Sequence, residues 1–227
     1  MKIAEMFYSI QGEGTLVGVP SVFVRTSGCN LRCHWCDTPY TSWAPEGEEK
    51  TLEEIAAYAR ANSTGYTVVT GGEPMIAPEI VELTRRLRAA GEHITIETAG
   101  TVFAEVDCDL MSISPKLANS TPLERDGGRW AGQHERLRWK PAVVKRLMGL
   151  CAYQLKFVVV EPEDLEEVRE MAAEVGAAPD RVVLMPEGVD AETLRERSGW
   201  LSEACKREGY RFTPRLHVIL YGNRRGV

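Results

Sequence analysis

Apolar positions along this chain follow two periods that take turns. From Thr64 onward, short apolar runs at 66–70, 93–97 and 109–114 read as buried strands, and the segment at 78–91 between the first two repeats its apolar residues at helical spacing. The same rhythm resumes with a strand pattern at 153–160, a helix at 163–176, a strand at 181–186 and a helix at 191–209. Strands that alternate with amphipathic helices predict βα units around a parallel sheet. Nearer the N-terminus, 4–10 and 21–27 read as strands, and Thr51-Leu52-Glu53-Glu54 opens a helix as a capping box. The stretch 116–133 is rich in Gly, Pro and charge without clear period, so it reads as a loop or a solvated insertion. No fixed-period repeat or low-complexity segment interrupts the pattern, and 1–227 reads as a single domain. The sheet is open or closes into a partial barrel. In either case ligands collect at the carboxyl ends of the strands, in the loops after Thr70, Glu97, Ser114 and Met185.

Composition narrows the functional classes. With 44% hydrophobic residues, the 227-residue chain can bury a large core. It has no apolar run approaching the roughly 18 residues of a membrane span, and its first residues run straight into polar sequence without a signal-peptide pattern. A cytoplasmic protein without membrane contact is expected. Lys and Arg number 27 against 33 Asp and Glu, a net charge of −6, which argues against bulk nucleic-acid binding. Six cysteines in such a compartment should mostly be reduced. Three of them, Cys29, Cys33 and Cys36, crowd into eight residues, while Cys108, Cys151 and Cys205 stand apart, so a disulfide framework does not fit.

The crowded cysteines carry the strongest chemical signal. Three thiolates in one short loop can ligate three irons of a [4Fe–4S] cube and leave the fourth open to a chelating small molecule, whereas ferredoxin-type carriers use four cysteines. Two blander readings stand beside this one: buried structural thiols, or a zinc site completed by His34. Thr70-Gly71-Gly72-Glu73-Pro74 follows a strand immediately, and its glycines allow a ligand to approach the main chain. By itself it is an ordinary βα turn. Ser114-Pro115-Lys116 places a hydroxyl and an ammonium at another strand end, or forms a solvated turn. Leu184–Glu187 and Glu97–Thr101 are further strand-end loops with the same two readings.

Outside the cluster loop, Gln11-Gly12-Glu13-Gly14 combines an amide, a carboxylate and two glycines just after a strand, a set suited to reading the donor–acceptor edge of a heterocycle. Arg25 could pair with a substrate carboxylate or with a neighbouring acid. Asp37 and Thr38 add hard oxygen atoms of the kind Mg²⁺ accepts, although Asp37 is as easily a loop cap. His217, a lone late histidine, has a structural reading as well.

The CxxxCxxC spacing, with Trp35 before the last cysteine, resembles the signature of the radical S-adenosylmethionine superfamily. Together with Tyr8–Gly14, Arg25, Thr70–Pro74, Glu97–Thr101, Ile113–Lys116, Leu184–Gly188 and Arg215–Asn223, it resembles the 7-carboxy-7-deazaguanine synthase family over nearly the whole chain. That resemblance implies a partial, modified TIM-like β/α barrel of the radical-enzyme type and a homodimer. It implies ring contraction of 6-carboxy-5,6,7,8-tetrahydropterin with loss of ammonia, started by a 5′-deoxyadenosyl radical. The implied cofactors are a [4Fe–4S] cluster on Cys29, Cys33 and Cys36, S-adenosylmethionine, and Mg²⁺ on Thr38. A flavodoxin- or ferredoxin-type protein would donate the electron. Carried over by residue, Trp35, Cys36, Asp37, Gly72, Glu73, Ser114, Pro115 and Lys116 would hold S-adenosylmethionine. Gln11, Gly12, Glu13, Arg25, Thr70 and His217 would hold the pterin, with Glu13 and Arg25 closest to the chemistry. A substrate contact by the terminal carboxylate, at the end of the Arg224–Val227 tail, is not carried over. A glycyl-radical activating enzyme would share the cysteines and the Gly-Gly-Glu-Pro turn but gives no reason for Gln11–Gly14 with Arg25. An electron-transfer module would leave the pterin-side motifs idle.

Overall fold

The structure, a computed structural model, describes residues 1–62 and 64–227. Its strands are β1 (Lys2–Ile10), β2 (Pro20–Thr26), β3 (Glu48–Glu49), β4 (Tyr66–Gly71), β5 (His93–Thr98), β6 (Leu110–Ile113), β7 (Ala152–Val159), β8 (Val182–Pro186) and β9 (Arg211–Phe212). Its helices are α1 (Pro39–Ser42), α2 (Leu52–Asn62), α3 (Ile80–Ala89), α4 (Ala131–Leu137), α5 (Pro141–Met148), α6 (Asp164–Val175), α7 (Ala191–Glu208) and α8 (Leu216–Tyr221). One 9-stranded sheet runs in the order β3-β1-β2-β4-β5-β6-β7-β8-β9. The expected βα alternation is present, and every pairing from β2 through β9 is parallel.

β1 departs from the all-parallel expectation. It pairs antiparallel with β2 and with the short β3. The connection from Ile10 to Pro20 is too short for the crossover of a dozen or more residues that a parallel return needs. Helices α4, α5 and α8 lie outside the sequence expectation, although α5 carries Val144 and Leu147 at helical spacing behind an N-terminal Pro141. The first two fill the long crossover between β6 and β7, and α8 is only six residues.

Helix ends follow local chemistry. Thr51 and Glu54 form the reciprocal capping box, with the Thr51 N–H donating to Glu54 Oε2 at 2.7 Å and the Glu54 N–H to Thr51 Oγ1 at 3.2 Å. Asp190 caps α7 by accepting from the Thr193 N–H at 2.9 Å.

Alternation along the strands builds two different faces. Val22, Val24, Val69, Ile94, Ile96, Met111, Ile113, Leu155, Phe157 and Leu184 join the core against the helices. The opposite face carries Arg25, Thr70, Glu97, Ser112, Gln154 and Lys156, in register across neighbouring strands as Arg25–Thr70, Glu97–Ser112 and Ser112–Gln154. The sheet does not close by strand pairing, yet its ends meet. Gly14 N–H donates to Thr213 Oγ1 at 2.7 Å, Leu216 N–H to Gly12 O at 2.9 Å, and Thr15 N–H to Gln154 Oε1 at 2.8 Å. The polar inner face is therefore wrapped into a partial barrel.

The cysteine reading needs one correction. Cys108 and Cys151 are not separate thiols but a disulfide, with 6.3 Å between their Cα atoms. Each precedes one of two paired strands, and Leu110 lies opposite Ala152, so sheet register brings together residues 43 apart in sequence. Among the described residues no helix is long and apolar enough to cross a membrane.

Candidate active site

A cavity of about 460 Å³ opens at the carboxyl ends of the strands. Cys29, Cys33 and Cys36 all line it, as do Trp35, Asp37, Thr38, Gly72, Ser114 and Lys116. Gln11, Gly12, Glu13, Arg25, Thr70 and His217 line the remainder. Two residues expected at the cofactor, Glu73 and Pro115, are not part of the lining. Glu73 is fully buried, and its carboxylate accepts from Thr98 Oγ1 at 2.7 Å, Ala99 N–H at 2.8 Å and Met75 N–H at 3.0 Å. It holds the Thr70–Pro74 loop against the loop after β5, and burial raises its pKa despite those donors.

The glycine ahead of it has a steric reason. A Cβ on Gly72 would lie 2.2 Å from the carbonyl oxygen of Gly28 and 2.7 Å from Cys29 Cβ, so the turn packs directly on the cysteine loop. The Glu73 N–H donates to Gly28 O at 2.9 Å and joins the two loops.

The thiols suit a cluster better than a single ion. Cys29, Cys33 and Cys36 supply three thiols to one cavity, and among the described residues no fourth Cys or His lines it beside them except His217, which packs on Gly12. Thiols spread around one cavity match ligands on separate irons, not a tetrahedral zinc. His34, the proposed fourth zinc ligand, is exposed and outside the cavity. Sulfur acceptors have donors in place: the Leu31 N–H lies 3.3 Å from Cys29 Sγ, and Ser42 Oγ lies 3.2 Å from Cys36 Sγ. Burial pushes the Cys29 and Cys33 thiols up to about 12, so these sites need bound cations to hold thiolates at neutral pH. The donor set therefore fits an iron–sulfur cluster. Lys116 Nζ folds back onto Ser114, 2.5 Å from its carbonyl and 3.0 Å from its hydroxyl, which puts a cation at the cavity wall.

The other half of the cavity is a charge network. Glu13 is paired with Lys156 and, at 3.3 Å, with Arg215; His217 Nε2 lies 3.9 Å away. Burial opposes ionisation of Glu13, but Lys156, Arg215 and His217 together hold its carboxyl well below the ordinary glutamate range. Arg215 also pairs with Asp37, directly after the last cysteine, and donates to Gly188 O at 2.7 Å. Asp37, 38% exposed where it opens onto the cavity, is likewise lowered, with Arg215 outweighing its partial desolvation. His217 packs against Gly12, where a Cβ would lie 2.0 Å from the imidazole Nδ1; burial lowers its pKa.

Glu97 gathers two of the expected pterin residues. Its Oε1 accepts from Gln11 Nε2 at 3.0 Å and its Oε2 from Thr70 Oγ1 at 2.8 Å. Gln11 Oε1 meanwhile accepts from the Glu13 N–H at 3.1 Å, so the Gln11 amide shapes the 11–14 turn from within. Arg25 Nε donates to Glu5 at 2.7 Å, and Tyr40 Oη to the same Glu5 oxygen at 2.6 Å.

Comparison with known proteins agrees with this geometry. A sequence model of the Radical SAM superfamily matches residues 23–139, just over half of the chain. A 7-carboxy-7-deazaguanine synthase of Rhodopirellula baltica is 46% identical over 226 residues, covering 99% of this chain and 88% of the relative. The chain belongs to the 7-carboxy-7-deazaguanine synthase family. A second member, from Halobacterium salinarum, is 43% identical over 98% of this chain and 91% of its own length. The crystal structure of QueE from Escherichia coli superposes with a TM-score of 0.68 at 28% identity, covering 95% of this chain and 94% of that one. The fold is thus the open, mostly parallel α/β sheet of a radical-enzyme partial barrel, and membership brings a [4Fe–4S] cluster and S-adenosylmethionine with it.

Within this synthase family framework, several lining residues are missing from the sequence reading. Lys156 interrupts the apolar strand Ala152–Val159 two positions after Gln154, and a lysine at an inward period-two position is the signal that could have found it. Arg215 and Glu97 lie inside the strand-end and C-terminal motifs but had no role there. Glu5 and Tyr40 carried no signal. The residues Asn223–Val227 also line the cavity. Arg225 is held there by Glu46 at 3.0 Å, with its guanidinium carbon 3.3 Å from the Tyr40 ring centroid.

Proposed function

We propose that this chain converts 6-carboxy-5,6,7,8-tetrahydropterin into 7-carboxy-7-deazaguanine with release of ammonia, in 7-deazapurine (queuosine precursor) biosynthesis. The observation that carries the reading is that three cluster thiols and the Glu13–Arg25–His217 set share one cavity. When bound, the cluster with S-adenosylmethionine supplies a 5′-deoxyadenosyl radical that takes hydrogen from the substrate.

The chain's own residues do the rest by binding and orienting. Glu13 stays ionised and acceptor-only, suited to the N–H donors on the pyrimidine edge of a pterin. Arg25, fixed by Glu5, presents its remaining N–H groups toward a substrate carboxylate. Thr38 and the substrate carboxylate would hold Mg²⁺ between them, a hard cation that takes few protein ligands. Lys116, Ser114 and Gly72 line the cavity with the three cysteines and would hold S-adenosylmethionine. The same reading takes 1–227 as one domain, a homodimer in the cytoplasm, reduced by a flavodoxin- or ferredoxin-type protein.

The test is anaerobic turnover of reconstituted protein with the pterin, S-adenosylmethionine, Mg²⁺ and a strong reductant, followed by mass spectrometry, with Cys33→Ala as control. Product from wild type and none from the variant is the expected result. Cleavage of S-adenosylmethionine without deazaguanine would overturn the substrate and leave the enzyme class standing.

A further inference from the structure

The stretch at 116–133, which reads from sequence as a solvated insertion, lies instead against the cysteine loop. The His34 N–H donates to Ser120 O at 2.8 Å, Trp35 Nε1 to Asn119 O at 3.1 Å, and Arg125 Nη1 to His34 O at 2.8 Å. Arg32 stacks its guanidinium 4.9 Å from the Trp130 ring centroid. The stretch is itself anchored to the scaffold, since Asn119 Nδ2 donates to Val158 O at 3.2 Å and to Asp164 at 2.8 Å, and the Ala118 N–H to Glu167 at 2.8 Å.

One buried side chain ties these contacts together. His134, on α4 and 1% exposed, accepts the Arg32 N–H on Nδ1 at 3.2 Å. Its proton therefore sits on Nε2, which donates to Ser120 Oγ at 2.8 Å, and the Ser120 hydroxyl donates onward to Leu117 O at 2.6 Å. Every polar atom in this chain has one orientation available. The imidazole is neutral in the working range, because burial lowers its pKa to about 4.

The residue between the two fixed amides is Cys33. Its neighbours Arg32 and His34 are held by His134 and by Ser120, and its own carbonyl accepts from Trp43 Nε1 at 3.0 Å. We propose that residues 117–137 form a clasp on the cluster loop and that His134 is its positioning residue, fixing the backbone on both sides of Cys33 through Arg32 and Ser120. This rests on the reading that the loop holds a [4Fe–4S] cluster. The clasp keeps the thiols spaced for the cluster, much as partners of metal ligands elsewhere orient the ligands they touch.

The experiment compares anaerobically reconstituted wild type with His134→Leu, His134→Asn and Ser120→Ala. It reads the rate of iron release to a ferrous chelator, the EPR spectrum of the reduced cluster with and without S-adenosylmethionine, and the melting of the iron-free protein. His134→Leu should lose iron roughly tenfold to a hundredfold faster and change the EPR response to S-adenosylmethionine. His134→Asn, whose amide oxygen can take the Arg32 N–H, should recover most of both. Ser120→Ala should fall between them, and it carries the test if the leucine variant does not fold. Variants that melt lower but release iron and respond by EPR like wild type would overturn the clasp and leave a packing role. A wild-type protein that takes up no iron would overturn the cluster reading, and the clasp with it.

Discussion

The guanidinium of Arg215 is paired with the carboxylate of Asp37, 178 positions earlier in the chain. The same guanidinium reaches Glu13 at 3.3 Å and Gly188 O at 2.7 Å. One side chain thus joins the residue after the last cluster cysteine to the carboxylate assigned to the pterin. A planar guanidinium can meet three acceptors at fixed angles, and a lysine ammonium cannot span them.

Arg215→Lys should therefore raise KM for the pterin about tenfold, the loss of one charged hydrogen bond, with a small change in melting. Arg215→Met leaves Asp37 without its cation and Glu13 with Lys156 alone. It should cost about 2 to 3 kcal/mol of stability, less than a fully buried pair because Asp37 opens onto the cavity. Steady-state kinetics and thermal melts of both variants check this. Equal KM values for Arg215→Lys and wild type would remove the bridging role.

Glu13 gives a prediction with a defined sign in pH. Its folded-state pKa is depressed below the ordinary 4.5 because Lys156 and Arg215 outweigh its burial. The unfolded chain therefore binds that proton more readily. The stability it contributes is complete above 4.5 and is lost as pH falls through the depressed folded value. Chemical denaturation of Glu13→Gln should show a shallower loss of stability below pH 4.5 than wild type. Lys156→Met leaves the Glu13 carboxylate short of a partner at neutral pH and should cost about 3 kcal/mol. The double variant Lys156→Met/Glu13→Gln should recover part of that loss. A double variant as unstable as the sum of its parts would mean that the pair is not coupled.

The parts of this site that were readable from sequence are those whose chemistry is local. Cys29, Cys33 and Cys36 share one loop and Gly72 follows its strand directly; in the fold around the site, the capping box at Thr51 and Glu54 is likewise complete within four residues. What escaped was set by register and long-range closure. Cys108 meets Cys151 only because β6 pairs with β7, and Lys156 meets Glu13 only because the loop after β1 folds over the inner face. Glu73 shows a different limit: the motif sets its place along the chain, but only the folded structure shows its carboxylate turned inward to accept from the Met75 and Ala99 amides. His134 lies just past the aperiodic stretch 116–133, on the short helix α4, and the Arg32 N–H of the cysteine loop meets its buried ring.

Gly72 offers the sharpest steric test, because its hydrogen faces the cysteine loop. An added Cβ would stand 2.2 Å from Gly28 O and 2.7 Å from Cys29 Cβ, and neither is the end of a flexible side chain. Gly72→Ala must push the two loops apart, at about 1 to 3 kcal/mol for overpacking. Gly91, where an added Cβ would meet nothing within 4 Å but φ is +83°, separates steric conflict from backbone strain. Gly91→Ala should lower melting and leave iron content at the wild-type level. Gly72→Ala should lower both iron content and S-adenosylmethionine cleavage, since Cys29 moves with its loop. Iron analysis beside a cleavage assay distinguishes them. A Gly72→Ala protein with full iron and wild-type cleavage would show that the turn can retreat without disturbing the cluster.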